Sequence, residues 1–224
     1  MRLSIIVPML NEAEQLPELF AHLLPYQRVG CEIIFVDGGS TDGSAMLCEV
    51  VGFIALRTVC GRATQMNAGA SQASGDVLLF LHADTRLPQG AARHIEQSLA
   101  NKEYCWGRFD VCITGRPFML RVVSRLMNWR SRLTGIATGD QAIFVRRAVF
   151  EHLRGFPDQP LMEDVELSKR LLAFSRPACI AHCVTTSGRR WESHGVWRTI
   201  LLMWRLRWAY WRGTDAGELV RFYR

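Results

Sequence analysis

Residues 3–7, 32–36 and 76–81 of this 224-residue chain are short, nearly unbroken apolar runs, each followed by a stretch with helical spacing. A continuous run, unlike an alternating one, describes a strand covered on both faces. Strands of that kind separated by helices form a parallel sheet with right-handed crossovers, which narrows the fold to an α/β architecture. The spacing predicts helices over about 12–24, up to about 50 with Ser40 or Asp42 as cap, 62–73 and 88–99, and a short strand over 53–56. Beyond about residue 104 the rhythm changes. Strands are expected over 106–114, 141–145 and 178–185, and helices over 118–133, 163–172 and 196–211. No Pro/Gly/Ser-rich linker interrupts the chain. Residues 1–224 therefore read as one domain: a nucleotide-type half over 1–104, an elaborated half over 105–192 and a basic aromatic helix over 193–224.

With 49% apolar and 21% charged residues the chain can bury a sizeable core and is not of the disordered class. No internal period marks a repeat array. The apolar run at 200–204 is five residues long, against the roughly 18 that suggest a membrane span. The apolar stretch at the start contains Pro8 and meets Asn11 and Glu12, unlike a signal peptide, so a cytoplasmic protein is expected, peripheral on the membrane's inner face at most. Seven cysteines fit a reducing compartment. Cys179, His182 and Cys183 have a metal flavour, but buried strand cysteines are the simpler reading.

Charge is uneven. The first 112 residues hold 8 basic and 12 acidic side chains, and the rest hold 19 and 9. All basic residues but Lys102 and Lys169 are arginines. A flat, weakly hydrated guanidinium suits phosphate, so the basic half points to phosphorylated ligands, anionic lipid or nucleic acid, the last without a motif behind it.

Open α/β sheets bind ligands beyond the carboxyl ends of their strands. Asp37 ends one apolar run, where it can receive a base N–H or a ribose hydroxyl, or equally serve an Asx-turn among Gly38, Gly39 and Gly43. Asp84 ends another; a lone carboxylate there suits Mg²⁺ or Mn²⁺ holding a diphosphate, or caps the next helix. Glu163 and Asp164 are adjacent acids. Repulsion can raise one above its ordinary pKa of ~4 and make it a proton acceptor, while the plainer reading is a helix N-terminus.

Together, Ser4-Ile-Ile-Val-Pro8, Asn11-Glu12, Ile34-Phe-Val-Asp37-Gly-Gly-Ser-Thr-Asp-Gly-Ser44, Gly75-Asp-Val-Leu-Leu-Phe-Leu-His-Ala-Asp-Thr85, Gly139-Asp-Gln-Ala-Ile-Phe-Val145 and Glu163-Asp164 resemble glycosyltransferase family 2 over about residues 3–170, and within it the short stand-alone bacterial members. The resemblance implies a GT-A fold, a Rossmann-like, mostly parallel sheet flanked by helices. It also implies transfer of a sugar from a nucleoside-diphosphate donor to an acceptor hydroxyl, usually with inversion. By similarity Pro8, Glu12 and Asp37 line the nucleoside pocket. Arg62 approaches the base or diphosphate, with Asn67 in the same segment. Asp84 stands at the last position of the family's Asp-x-Asp metal motif, Asp164 at the catalytic base, and Glu163 beside it. His82 replaces the first acid of that motif, and a neutral imidazole is a poorer partner for Mg²⁺. The processive members' Gln-x-x-Arg-Trp survives only as Arg190-Trp191, where Arg189 or Arg190 can reach the diphosphate or form a solvated surface pair.

Trp197, Trp204, Trp208 and Trp211 fall on one helical face beside several arginines, a pattern suited to an anionic membrane surface. Arg121, Arg125 and Arg132 suggest the same for 118–133. Packing on the domain, or on a second copy in a homodimer, is the alternative for both. The acceptor stays open between a lipid-linked and a small molecule. Two rivals to a transferase of sugars remain: a nucleotidyltransferase, which wants a glycine-rich basic loop where Met9–Glu12 stands, and a catalytically degenerate nucleotide-sugar-binding protein.

Overall fold

Seven consecutive buried residues, Leu3–Met9, form β1, the spine of the molecule. The computed structural model describes residues 1–223. β1 pairs in parallel with β2 (Glu32–Asp37) on one side and β4 (Val77–Phe80) on the other, and β3 (Ile54–Arg57) extends the sheet beyond β2. Past β4 the sheet continues through β7 (Phe144–Arg146), antiparallel to both its neighbours, then β6 (Trp106–Thr114), β8 (Ala178–Ser187) and the two-residue β5 (Thr85–Arg86). The order is β3-β2-β1-β4-β7-β6-β8-β5.

Alternate side chains of the central strands feed two cores. Ile5, Val7 and Phe35 point to one face, covered by α1 (Leu16–Arg28), α2 (Ser44–Val51), α4 (Ala91–Ala100) and α5 (Met119–Thr134). Ile6, Ile34, Val36 and Phe80 point to the other, covered by α3 (Arg62–Gln72), α6 (Arg147–His152) and α7 (Glu163–Leu171). Coverage on both sides is why these strands carry no alternation. Asn128 fixes α5 to β6: its amide accepts the Val111 N–H at 2.9 Å and donates to the Val111 carbonyl at 3.0 Å.

Several boundaries differ from those expected. Helix α1 starts at Leu16 rather than near residue 12, because the backbone N–H groups of Asn11, Glu12 and Ala13 donate to Ser40, Ser44 and Asp42 and hold that stretch against the next loop. Gly43, in the left-handed region at φ 85°, occupies the cap of α2; Asp42 accepts the Ser44 N–H at 3.0 Å from outside it, and Ser40 is bonded to Asp37. Asp84 caps no helix, since α4 begins at Ala91. Gln141 belongs to a 3₁₀ turn, Gly139–Gln141, and the strand expected from 141 begins at Phe144. Three helices were not foreseen: α6, α8 (Arg189–His194) and α10 (Ala216–Tyr223). Helix α9, Val196–Trp211, has the bounds expected for it, but the single helix expected over 193–224 is corrected: the chain turns after Trp211 and resumes as α10. No helix among the described residues is long and apolar enough to cross a membrane.

Candidate active site

β1 and β4 stay paired only as far as Ile6 and Phe80, whereas β1 runs on beside β2 to Met9 and Asp37. Neighbouring strands whose connections leave in opposite directions open a crevice at their carboxyl ends. Pro8 lies past the last pairing with β4, where its missing N–H breaks no ladder on that side. Glu12 follows. Burial pushes its carboxyl above the ordinary value, Arg189 opposes this, and the Asp84 charge adds to the rise. Arg189 Nη2 stands 3.9 Å from Glu12 Oε2. A cavity of about 450 Å³ opens beside them, lined by Asp84, Ser187, Arg189, Arg190, His194 and Tyr223. The Arg190 guanidinium lies 3.7 Å over the Tyr223 ring and donates to the Tyr223 carbonyl at 2.7 Å.

Asp37 stands at the other end of the crevice, two strands from β4, with 2% of its surface exposed. Its carboxylate accepts the N–H groups of Gly39 at 3.3 Å and Ser40 at 3.1 Å, together with the Ser40 hydroxyl. These bonds make an Asx-turn. It rigidifies the loop after β2, and Gly39, at φ 96°, supplies the left-handed step that loop requires.

Glu163 and Asp164 open α7 immediately after Met162, a non-glycine residue at φ 64°. Ala142, at φ 47°, is a second such residue, directly after the 3₁₀ turn. Each costs on the order of 1–3 kcal/mol, and such strain concentrates where a fold must aim particular groups. Asp164 Oδ2 accepts the Gly139 N–H at 2.7 Å and Oδ1 accepts the Val165 N–H at 2.7 Å. Glu163 is buried, and burial followed by the Asp164 charge pushes its carboxyl up to about 6, against the pull of Arg62 and His82.

His82 Nδ1 lies 3.3 Å from Asp140 Oδ1. Burial favours the neutral ring, but the Asp140 hydrogen bond and charge outweigh it, and the imidazole pKa is raised. The ring that stands in for the first acid of the motif thus has its Nδ1 turned to the Asp140 carboxylate. A Cβ on Gly139 would lie 2.5 Å from His82 Cε1 and Nε2, so this ring position depends on the glycine. Burial alone would lower the pKa of Arg62, yet Tyr223, Glu163 and Asp140 raise it. Arg62, His82, Asp140, Glu163, Asp164 and Asp84 thus form one interacting group.

Asn67 does not join it. Its amide donates to the Phe156 carbonyl and accepts the Phe156 N–H, both at 2.9 Å, pinning α3 to the loop before α7. The expected donor contact from Asn67 is corrected accordingly: both polar atoms are occupied by backbone. Cys179 and Cys183 lie half-buried along β8, and the His182 ring stacks on His94 at 3.8 Å. Arg132, expected on a basic face, is bonded to Asp110 at 2.7 Å, which in turn pairs with the fully buried Arg108. Asp140 and His194 were missed. Asp140 lay inside a motif of the resemblance without a role, and His194 carries no local signal beyond its residue type.

The family model described as "Glycosyl transferase family 2" matches residues 4–154. An undecaprenyl-phosphate 4-deoxy-4-formamido-L-arabinose transferase of Pseudomonas fluorescens is 34% identical over 167 residues, covering 64% of this chain and 45% of the relative. The chain spans about half the length of the curated relatives it matches. Among solved structures, residues 1–349 of S. aureus TarS in complex with UDP-GlcNAc superpose with a TM-score of 0.65 at 18% identity, covering 84% of this chain and 58% of that one. A mannosyltransferase from Pyrobaculum calidifontis in complex with GDP-Man and Mn²⁺ superposes with a TM-score of 0.61 at 22% identity, covering 82% and 56%. These likenesses show the GT-A fold.

Proposed function

The chain belongs to glycosyl transferase family 2, and from that premise we propose that it transfers a sugar, with inversion, from a nucleoside-diphosphate donor to an acceptor hydroxyl. The observation that carries this reading is the convergence of Asp84, Arg62 and the Glu163–Asp164 pair on the crevice beyond β1 and β4. The nucleoside lies toward Pro8, Glu12 and the Asp37 loop. The diphosphate lies toward Asp84, Arg62 and Arg190. Asp164, held by the Gly139 N–H, removes the acceptor hydroxyl proton as that oxygen attacks the anomeric carbon in line.

No group of three or more His, Cys, Asp or Glu among the described residues is arranged to hold an ion by itself. Asp84 lines the cavity, and a lone carboxylate there would hold Mg²⁺ or Mn²⁺ with a shell completed by donor phosphates and water. An ion bound there would neutralise the charge that gathers on the departing diphosphate. The relative from P. fluorescens is named for transfer to undecaprenyl phosphate, and a lipid-linked acceptor here agrees with the exposed aromatic face of α9. We place the protein on the cytoplasmic face of a membrane, held peripherally.

The deciding experiment pairs calorimetry of UDP and GDP with Mn²⁺ against a donor-turnover screen, on wild type and Asp164→Asn. Asp164→Asn is expected to lower turnover about 10²–10⁴-fold with nucleotide affinity unchanged. Near-wild-type turnover in that variant would remove Asp164 from the reaction, and absence of nucleotide binding would remove the proposal.

A further inference from the structure

Arg190 meets Tyr223 inside the cavity that Asp84 lines. The guanidinium lies 3.7 Å from the centre of the Tyr223 ring, and its Nη2 donates to the Tyr223 carbonyl at 2.7 Å. Both side chains face the same cavity of about 450 Å³.

Packing of its own helix does not fix Arg190. That helix, α8, contains no buried residue and is bounded by Gly188 and by Gly195, the latter at φ 83°. An arginine on an exposed helix samples many rotamers, and ordering it when a ligand arrives costs affinity. Tyr223 supplies what α8 lacks, because α10 is anchored. Leu219 of α10 is buried in a small core with Leu161, Met162 and Leu206, and Tyr223 packs against that core. Met162 directly precedes Glu163, so α10 and the acid pair share one support.

The contact also suits phosphate. A guanidinium stacked on a ring keeps its donors in the plane of the fork, and one bond to a carbonyl leaves most of them for phosphate oxygens. Arg62 belongs to the same arrangement. Burial disfavours the Arg62 cation, and hydrogen bonding to the Tyr223 side chain is among the influences that restore it.

We infer that Tyr223 is a positioning residue of the donor site, acting through Arg190: it holds that guanidinium ready for the diphosphate and links it to Arg62. The inference rests on the transfer reading above, which puts the donor diphosphate beside Asp84, Arg62 and Arg190. It adds a requirement of its own, that residues 62, 190 and 223, from three distant parts of the chain, are assembled before the donor arrives. A tyrosine that only filled the cavity would compete with the donor, and its removal would tighten binding. A tyrosine that sets Arg190 weakens binding when it is removed.

The test is calorimetry of UDP and GDP, with UMP and GMP alongside, on the full chain in the presence of Mn²⁺. Tyr223→Ala keeps the carbonyl and loses the ring. It should weaken the diphosphate that binds about tenfold and the matching monophosphate far less. Tyr223→Leu, which keeps apolar bulk against Leu161 and Met162 without a π face, should repeat that result. Tyr223→Phe keeps ring and carbonyl, should retain most of the affinity, and serves as the folding control. Arg190→Ala should show a similar loss. Arg190→Ala/Tyr223→Ala should bind no more weakly than Arg190→Ala alone, because a residue acting through another then has nothing to act on. Additive losses in the double variant, equal losses of mono- and diphosphate, or tighter diphosphate binding in Tyr223→Ala would overturn the inference and leave the transfer reading standing. A wild-type chain that binds neither UDP nor GDP would overturn both.

Discussion

Glu163 and Asp164 are covalent neighbours in different surroundings. Asp164 receives two backbone N–H groups, whereas Glu163 is buried beside its neighbour's charge. Glu163 therefore binds its proton more tightly folded than unfolded, with a pKa of about 6 against 4.5. Across that window the folded chain holds more protons, so stability is greatest at the acid end and falls as pH rises, by about 2 kcal/mol in all. Denaturant midpoints measured across the window should show this decline in wild type and a flatter profile in Glu163→Gln. Superimposable profiles would mean that Glu163 is not buried as described. That two acids stood here was legible in the sequence, and so was the helix start they mark. Which of them is shielded was not, because burial is set by Arg62, His82 and Asp140 arriving from other parts of the chain.

At the scale of elements, the site is held by two clamps whose local sequences gave little warning. One is the 3₁₀ turn Gly139–Gln141, which places a glycine against the His82 ring and its N–H on Asp164. Gly139→Ala should push the imidazole away from Asp140 and shift the turn. A displacement of about 1 Å at a catalytic group costs roughly 10²-fold in rate, so kcat should fall by that order with nucleotide affinity retained. Unchanged kcat would show that the close approach to His82 is unimportant. The other is Asn67, clamped on both sides to Phe156. Asn67→Ala strands a backbone donor and acceptor and should cost about 1–3 kcal/mol in urea unfolding, leaving nucleotide affinity of the folded protein unaltered. Loss of affinity without loss of stability would return Asn67 to the donor site. Segment 61–67 was given a ligand-facing role by the family resemblance alone. The direction in which Asn67 points depends on a loop about ninety residues away.

For the molecule as a whole, the uneven charge and the exposed tryptophans coincide. Trp197, Trp204, Trp208 and Trp211 are 59–78% exposed, and the half that carries them holds 19 of the 27 basic side chains. Aromatic rings beside arginines favour a membrane interface, and the electrostatic part of such binding is screened by salt. Flotation with anionic vesicles should retain wild type at low ionic strength, lose part of it at high salt, and lose most of it in a Trp204→Ala/Trp208→Ala double variant. No retention at low salt would assign that face to a protein contact. The sequence by itself determined the α/β class, β1, β2, β6 and α9, and the acids at the strand ends. Those signals lie in contiguous residues, whose burial or helical periodicity is local. Only the tertiary structure decided that Asp140 meets His82, that Asn67 turns to Phe156, and that the Gly139 N–H lands on Asp164. Each of these is a pairing of groups far apart along the chain, and its energy comes from a low-dielectric neighbourhood that does not exist until the sheet and its helices have closed around it.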